Sequence, residues 1–300
     1  MMRMYHKPVL LDACLEGLAL KESGTYVDVT FGGGGHTKAI LDAIGSGGKV
    51  IAFDQDEDAA ENSLDDDRLI FVHQNFSFLQ RFLRFHKIDK VDGILADLGV
   101  SSHQNDTPER GFSTRFDGPL DMRMNSSEGV SARDVVNTYT KEQLSDIFYQ
   151  YGELTNARKI ALRIVEQRSH KPIETTLELT ETLSPLVPVK IKHKVMAQIF
   201  QALRIEVNQE LEALKSLLEQ SGEVIKSNGR LCVISYHSLE DRLVKRFIQH
   251  GCFDSEPVKD EFGHSHKPFK KVGQLALPSE TEIKKNKRAR SAKLRIAEKI

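Results

Sequence analysis

Short apolar runs alternate with segments of helical periodicity over the first hundred residues of the chain. The runs at residues 26–29, 49–53, 69–73 and 91–96 are nearly continuous in apolar character, as expected for strands buried on both faces of a sheet. A fifth run follows at residues 230–235, and a nearly alternating segment at 291–298 predicts a final strand. Strands that alternate with helices predict an α/β fold with a mostly parallel, doubly wound sheet, which binds ligands at the carboxyl ends of its strands.

Between residues 131 and 204 the pattern is helical only, and no candidate strand follows until residue 230. Helices are predicted from residue 140, over 155–170 and over 175–183, while residues 193–220 form either one long helix or two. We therefore predict an all-helical domain at residues 127–204, inserted into a sheet domain that is formed by residues 1–126 and 205–300.

The turn after the first predicted strand contains four consecutive glycines, Gly32 to Gly35. Glycines are costly to order, so we expect a ligand to approach the backbone here, at the N-terminus of the next helix. A Walker loop would require a lysine that this turn lacks, and the dinucleotide pattern G-x-G-x-x-G does not fit either. An acid followed by small residues at alternate positions (Asp28, Thr30, Gly32, Gly34) resembles motif I of S-adenosylmethionine-dependent methyltransferases.

Two residues at the ends of the next strands are candidates for holding a nucleoside. Asp54 ends the second predicted strand, 20 residues past Gly34, where an acid accepts hydrogen bonds from ribose hydroxyls in nucleotide-binding folds. Phe76 follows the third strand and lies either against an adenine ring or in the core; the pattern favours neither placement.

The composition of the chain limits the classes of protein and the cellular compartments that we expect for it. The 300 residues are 39% hydrophobic and 28% charged, and the net charge of -1 gives no overall basic footprint, so a nucleic-acid partner would need a local positive surface. No apolar run approaches a membrane span, and the short polar N-terminus is not a signal peptide. The three cysteines form neither a zinc pattern nor a disulfide framework. We expect a cytoplasmic protein without a metal.

Two further stretches are candidates for substrate contact. Residues 109–124 are irregular, charged and glycine-containing, which predicts an ordered loop over the active site. A basic run precedes the last predicted strand, and we expect it to form a loop near the site. Basic runs of this kind often bind nucleic acid, here through Lys284, Lys285, Lys287, Arg288 and Arg290.

Together these motifs closely resemble the family called ribosomal RNA small subunit methyltransferase H, whose members use S-adenosylmethionine to methylate N4 of a cytidine in bacterial 16S ribosomal RNA. The resemblance runs from His6 almost to the C-terminus. Its motifs include Thr-Phe-Gly-Gly-Gly-Gly-His at 30–36, Asp-Leu-Gly-Val-Ser-Ser at 97–102, Glu-Arg-Gly-Phe-Ser at 109–113, Phe-Gln-Ala-Leu-Arg at 200–204 and the stretches 117–124, 235–242 and 288–291.

The resemblance implies a Rossmann-like methyltransferase domain with an inserted helical domain that recognises the substrate. It implies S-adenosylmethionine as cofactor and 16S ribosomal RNA, within the small ribosomal subunit, as partner. It also implies cofactor contacts at Gly34, Gly35, His36, Asp54, Phe76, Asp97 and Gln104. Tyr236 departs from the family pattern, since phenylalanine is common at this position, and we expect no functional consequence from the change.

Methylation of an exocyclic amino group poses a specific chemical problem. The nitrogen lone pair is delocalised into the ring, so a side chain that accepts hydrogen bonds from the N–H groups would return electron density and take up a proton. Many amino-methyltransferases place an Asp/Asn-Pro-Pro-aromatic motif after strand four, where this chain has Asp97 followed by Leu, Gly and Val. We predict that Asp97 lies near the reacting centre, where it serves the cofactor or the base, with His237 and Asp121 as weaker catalytic candidates.

Other chemistries have weaker support in the sequence. Methylation at carbon 5 of cytosine needs a cysteine nucleophile, usually after a proline, and no cysteine here follows one. A nicotinamide-dependent oxidoreductase would share the glycine turn and Asp54, and a non-catalytic RNA-binding ribosome assembly factor would share the basic run. A homodimer is left open.

Overall fold

The structure, a computed structural model, describes residues 8–253 and 267–300. His6 and Lys7, where the family resemblance begins, lie outside the described residues. The helices are α1 (Leu11–Leu18), α2 (Gly35–Ala43), α3 (Glu57–Ala60), α4 (Leu79–Phe85), α5 (Ser102–Asp106), α6 (Ala132–Thr138), α7 (Lys141–Gln150), α8 (Ala157–His170), α9 (Thr176–Leu183), α10 (Lys192–Asn208), α11 (Glu210–Val224), α12 (Ser238–His250) and α13 (Glu280–Lys285). The strands are β1 (Thr25–Asp28), β2 (Lys49–Asp54), β3 (Leu69–His73), β4 (Val91–Asp97), β5 (Ile225–Ser235), β6 (Phe269–Ala276) and β7 (Lys293–Lys299).

The chain divides into two compact units. The first unit comprises residues 1–99 and 211–300, and the second comprises residues 100–210. The second unit is longer than the predicted insertion because residues 100–126 and 205–210 belong to it. Phe112, Leu120 and Met122 from the first of these stretches pack into the core of the helices α6 to α10, so a stretch that reads as irregular in sequence is anchored by buried apolar side chains.

The first unit contains a sheet in the order β3-β2-β1-β4-β5-β7-β6. Strands β1 to β5 run parallel to one another, and β7 runs antiparallel to both β5 and β6. The predicted α/β class with a mostly parallel sheet is therefore confirmed. Strand β6 was not predicted. It is an edge strand that is largely exposed to solvent, and its lysines, glycine and glutamine interrupt the apolar pattern.

Alternate residues of the central strands pack on opposite faces of the sheet. Val27, Ile94 and Val233 contribute to one core, together with side chains of α11 and α12. Their neighbours Tyr26, Leu95 and Ile234 contribute to the other core, with side chains of α1 and α2. Both faces are covered, which is why these strands read as continuous apolar runs.

The second unit is helical, and its core is formed by the apolar faces of α6 to α10. Ser131, Thr140 and Thr175 begin α6, α7 and α9 with capping boxes, in which the side chain and the third helical residue satisfy each other's backbone N–H groups. The predicted segment 193–220 is two helices, because Gln209 adopts a left-handed conformation with φ 50°. No helix in the described part of the chain is long and apolar enough to cross a membrane.

Candidate active site

The carboxyl ends of the parallel strands bring several polar side chains to one edge of the sheet. Asp28 pairs with Ala52 across β1 and β2, and Asp97 pairs with Ile234 across β4 and β5. The loops that follow these strands therefore start at the same edge, where ligands bind in open α/β sheets.

Asp28 holds the glycine turn together from the inside. Its carboxylate is fully buried and accepts hydrogen bonds from Thr37 Oγ1 at 2.7 Å and from the Thr30 backbone N–H at 3.1 Å. Thr30 Oγ1 in turn accepts a hydrogen bond from the Asp97 backbone N–H at 2.7 Å. These contacts fix the end of β1, the start of α2 and the end of β4 relative to one another.

The glycines of the turn are required in part by the protein's own packing. Gly32 and Gly34 have φ of 51° and 74°, in the left-handed region that favours glycine. A Cβ on Gly34 would lie 2.9 Å from the Phe31 ring, and one on Gly35 would lie 2.4 Å from Pro8 Cγ. The helix α2 that follows has no side-chain cap at its N-terminus, so its first turn presents backbone N–H groups and a positive dipole end.

Asp54 lies against this turn at the end of β2. Its Oδ2 accepts a hydrogen bond from the Gly32 backbone N–H at 2.7 Å, and its Oδ1 accepts one from the Asp56 N–H at 2.9 Å. Burial raises the pKa of Asp54 to about 6, although both of these hydrogen bonds favour the charged form. A carboxylate with two backbone donors keeps lone pairs for further donors, such as a pair of hydroxyls.

Phe76, the candidate for adenine stacking, begins a short turn after β3. Asn75 precedes it and accepts a hydrogen bond from the Ser77 N–H. The Phe76 ring is only partly buried and packs at the margin of the core that includes Phe53. It therefore contributes to the core while keeping part of its surface accessible at the carboxyl edge of the sheet.

Two side chains, those of Tyr236 and His36, lie next to the Asp97 carboxylate. Its Oδ1 accepts a hydrogen bond from the Tyr236 hydroxyl at 2.7 Å, and its Oδ2 lies 3.9 Å from His36 Nδ1. Burial raises the pKa of Asp97 to about 6, against the opposing effects of His36 and Tyr236. The structure thus brings Asp97 and His36 together, and both remain candidates for the site.

His36 is buried in the first turn of α2. Its Nε2 lies 3.1 Å from the Val9 carbonyl oxygen. Because a carbonyl can only accept, Nε2 carries a hydrogen in this contact, and Nδ1 is the ring nitrogen that faces Asp97.

His237 caps helix α12 through its side chain. Its Nδ1 accepts from the Glu240 N–H at 3.5 Å, and Glu240 Oε2 accepts from the backbone N–H groups of Tyr236 and His237. His237 Nε2 lies 3.2 Å from Glu240 Oε1 but is not aligned for a hydrogen bond within the described residues. His237 therefore has a structural role in the turn, and a chemical role remains a prediction.

Two predicted site residues lie in the second unit. Gln104 is buried and forms a capping box with Ser101, in which its Oε1 accepts from the Ser101 N–H at 2.9 Å. Asp121 forms an ion pair with Arg123, with 2.7 Å between Oδ2 and Nη2. Both oxygens of this carboxylate accept hydrogen bonds from Arg123, so the structure offers less for Asp121 than for Asp97.

The basic run forms a short helix and a 3₁₀ turn where the sequence predicted a loop. Lys284 and Lys285 end α13, and residues Lys287–Ser291 form the 3₁₀ turn, in which Ala289 is buried. Lys284, Lys285, Lys287 and Arg290 are exposed, and Arg288 is partly buried.

The N-terminal segment contacts both helix α13 and the site. Glu282 Oε1 accepts a hydrogen bond from the Leu10 N–H at 2.7 Å, and the adjacent Val9 carbonyl contacts His36.

Sequence reasoning missed the internal roles of Thr30, Tyr236 and Glu240. In the sequence, Thr30 is recognisable only as a small residue of the glycine motif, and Tyr236 only as a departure from the family pattern. Neither signal indicates a hydrogen bond. Glu240 follows His237 by three residues, which is the spacing of a capping box, so that signal was present in the sequence.

Comparison with known proteins extends along nearly the whole chain. A family model described as the MraW methylase family matches residues 3–300. A relative from Flavobacterium johnsoniae named Ribosomal RNA small subunit methyltransferase H is 59% identical over 99% of this chain and 98% of its own. Relatives of that name from Christiangramia forsetii and Bacteroides fragilis are 56% and 54% identical, and each covers at least 98% of this chain and 97% of its own.

A solved rRNA methylase from Streptococcus thermophilus aligns with 96% of this chain and 95% of its own, at a TM-score of 0.43 and 12% identity. The sequence relatives and the family match are much stronger findings than this. Because the match spans residues 3–300 and the relatives are more than half identical, the chain belongs to the MraW methylase family.

Proposed function

We propose that this protein transfers a methyl group from S-adenosylmethionine to the N4 amino group of a cytidine in 16S ribosomal RNA, within the small ribosomal subunit in the cytoplasm. Its relatives are named as small-subunit ribosomal RNA methyltransferases. The observation that carries the proposal is Asp97 at the carboxyl end of β4, beside the glycine turn. Its backbone N–H donates to Thr30 Oγ1, and its carboxylate accepts from the Tyr236 hydroxyl. The family match gives no support to an oxidoreductase or to a non-catalytic assembly factor.

The residues around the glycine turn fit the cofactor. Asp54 has acceptor capacity for the ribose hydroxyls, and Phe76 has an accessible ring surface for the adenine. The uncapped N-terminus of α2, at Gly34, Gly35 and His36, suits the carboxylate of the methionine portion. Gln104 is proposed as a further contact.

The reaction moves one methyl group and releases one proton. When bound, S-adenosylmethionine would supply a methyl carbon activated by a sulfonium, with a thioether as the leaving group that keeps the electron pair of the carbon–sulfur bond. The amino nitrogen forms the new bond and must lose a hydrogen as a proton. Asp97 accepts the hydrogen bond from this N–H group, raises the electron density on nitrogen, and takes the proton or passes it to water.

We further propose that residues 127–204 recognise the RNA, together with the exposed cations Lys284, Lys285, Lys287 and Arg290 and with Arg288. The target base must leave its stack to reach the end of β4, as in other enzymes that modify a base. His237 and Asp121 are proposed as secondary polar contacts to the base.

The proposal is tested with small subunits from cells that lack this protein. Purified protein and labelled S-adenosylmethionine should produce N4-methylcytidine, which mass spectrometry of the digested RNA identifies. Asp97→Asn keeps the shape and a hydrogen-bond acceptor but removes the charge, so we expect the turnover to fall at least about 100-fold. Calorimetry should detect binding of S-adenosylmethionine and none of NAD.

Asp42→Asn is the matched control. Asp42 is an exposed acid whose side chain is 64% accessible and pairs with Lys38 on the surface of α2, so this variant should keep full activity. A label on another base, a label on carbon 5, or full turnover in Asp97→Asn would contradict the proposal.

A further inference from the structure

Tyr236 lies next to Asp97 because of the pairing between β4 and β5. Asp97 is opposite Ile234, and the Leu98 N–H donates to the Ile234 carbonyl at 3.0 Å. Tyr236 is two residues past this point, and its hydroxyl donates to Asp97 Oδ1 at 2.7 Å. A phenylalanine in its place would have the same ring and no such contact.

The Tyr236 ring is fixed on more than one side. Its backbone N–H donates to Glu240 Oε2 at 2.8 Å, which ties it to the start of α12. Its ring packs at the margin of the core that includes Leu10 and Cys14. A Cβ on Gly99, which has φ of 100°, would lie 3.6 Å from Tyr236 Cδ2. The hydroxyl is therefore presented to Asp97 from a rigid support.

The direction of the hydrogen bond assigns different roles to the two oxygens of Asp97. Burial, and then the charge of Asp97, raise the pKa of Tyr236 well above its ordinary value, so the hydroxyl keeps its proton and donates. Oδ1 is therefore occupied as an acceptor. Within the described part of the chain no group donates a hydrogen bond to Oδ2, which lies 3.9 Å from Nδ1 of His36.

We propose that Tyr236 is a positioning residue, which holds the Asp97 carboxylate in one orientation and leaves Oδ2 as the oxygen that receives the amino hydrogen of the base. This inference rests on the proposed role of Asp97. A carboxylate without the Tyr236 bond could rotate about its terminal torsion and would present either oxygen, so fewer encounters would be aligned for transfer.

The contact between Tyr236 and Asp97 should affect the acid limb of the pH dependence of kcat. The titratable groups that act on Asp97 come from several elements, and they are Asp28 of β1, His36 of α2, Cys14 of α1, Tyr236 after β5 and Glu240 of α12. A hydrogen bond to the charged form of an acid lowers its pKa, so removing the Tyr236 hydroxyl raises the pKa of Asp97 above its value of about 6. The limb where activity is lost should move to higher pH.

The experiment compares wild type, Tyr236→Phe and a protein with 3-fluorotyrosine at position 236. We expect Tyr236→Phe to move the acid limb of kcat up by about one pH unit and to lower the plateau several-fold, with KM for RNA and Kd for S-adenosylmethionine unchanged. Fluorotyrosine is a stronger donor, so it should move the limb in the opposite direction. Tyr26→Phe is the matched control, because it removes another buried tyrosine hydroxyl, which accepts from the Lys21 N–H at 2.7 Å, and should leave the profile unchanged.

The outcomes separate the inference from the proposed function. If wild type forms no N4-methylcytidine, the proposed function fails. If wild type is active and Tyr236→Phe keeps both its plateau and its acid limb, Tyr236 has no positioning role. Thermal melting identifies any loss of fold in Tyr236→Phe, and in that event the fluorotyrosine protein decides: an unshifted limb there overturns the inference.

Discussion

Three aspartates of the sheet show how the surroundings of a carboxylate distinguish a structural role from a chemical one. Asp92, near the start of β4, loses solvation on burial, but hydrogen bonds from Lys226, the Thr25 N–H and Lys21 hold its pKa at about 2. Asp54 and Asp97, at the opposite ends of β2 and β4, have no lysine or arginine partner among the described residues, and burial raises the pKa of each to about 6. Uncompensated carboxylates of this kind are typical of functional sites.

The affinity for S-adenosylmethionine should therefore depend on pH through Asp54. The charged form accepts hydrogen bonds from hydroxyls better than the neutral form, and the folded pKa of about 6 places the change between neutral and mildly acidic pH. We expect Kd, measured by calorimetry, to rise by up to about tenfold as the pH falls from about 7 to about 5.

Asp54→Asn provides the comparison for this titration. The amide cannot ionise, so its Kd at neutral pH should be higher than that of wild type and should change less with pH. A Kd that is independent of pH in wild type would remove Asp54 from the binding site.

At the scale of the element, the turn from β1 into α2 combines left-handed backbone with tight packing. Gly34 has a positive φ, and its Cα faces the Phe31 ring, so two separate effects exclude a side chain there. Asp28 and Thr30 connect the same turn to the end of β4. A distortion at Gly34 should therefore reach both the cofactor and Asp97.

Gly34→Ala should lower the melting temperature and weaken S-adenosylmethionine binding. A left-handed non-glycine residue costs about 1–2 kcal/mol, and the overlap with Phe31 adds to this cost. Gly273→Ala, in β6 of the same unit, is the control: Gly273 has φ of 62° and nothing within 4 Å of an added Cβ. If the two variants melt at the same temperature and bind the cofactor equally, the packing against Phe31 has no influence.

The sequence predicted best those elements whose buried apolar residues follow a regular spacing. The central strands β1 to β4 were placed within a residue of their bounds because both faces are covered. Strand β6 was missed since only Phe269 of its residues is fully buried, and residues 100–126 were assigned to the sheet domain because Leu120 and Met122 follow no period. The break at Gln209 depends on one left-handed residue that carries no sequence signal.

At the scale of the whole molecule, one edge of the sheet combines acidic and basic groups. Acids and the glycine turn lie at the carboxyl ends of β1, β2 and β4, and the basic turn Lys287–Ser291 leads into β7, whose first residue, Lys293, pairs with Ser235 at the carboxyl end of β5. The order of strands in the sequence predicts which residues share an edge. It does not predict the contact between Asp97 and Tyr236, which are 139 residues apart, because such a contact depends on the register of β4 with β5.

Replacing Lys284, Lys285, Lys287 and Arg290 with alanine should raise the KM for RNA and reduce its dependence on salt. Each lost phosphate contact reduces the slope of log binding constant against log salt concentration by about one unit. Kd for S-adenosylmethionine should not change, because the exposed cations are not proposed to bind it.

A second group of cations serves as the control for this experiment. Lys49, Lys87 and Lys90 are exposed and lie at the amino ends of β2 and β4, and their joint replacement with alanine should leave the RNA KM unchanged. Equal effects from the two groups would indicate a general attraction to RNA, and an unchanged KM in the first group would place the RNA elsewhere.

The long separation between β4 and β5 has a consequence for biosynthesis. Asp97 leaves the ribosome early, but its partner strand emerges only after the entire helical unit has been translated, and β7 follows later still. Nascent chains should therefore bury the helical core before the catalytic edge exists. In refolding, the pairing of β4 with β5 joins residues that are far apart in sequence, so the Leu98 amide should be among the last to become protected against hydrogen exchange. An incomplete chain of this protein would carry the glycine turn without the carboxylate geometry that methyl transfer needs.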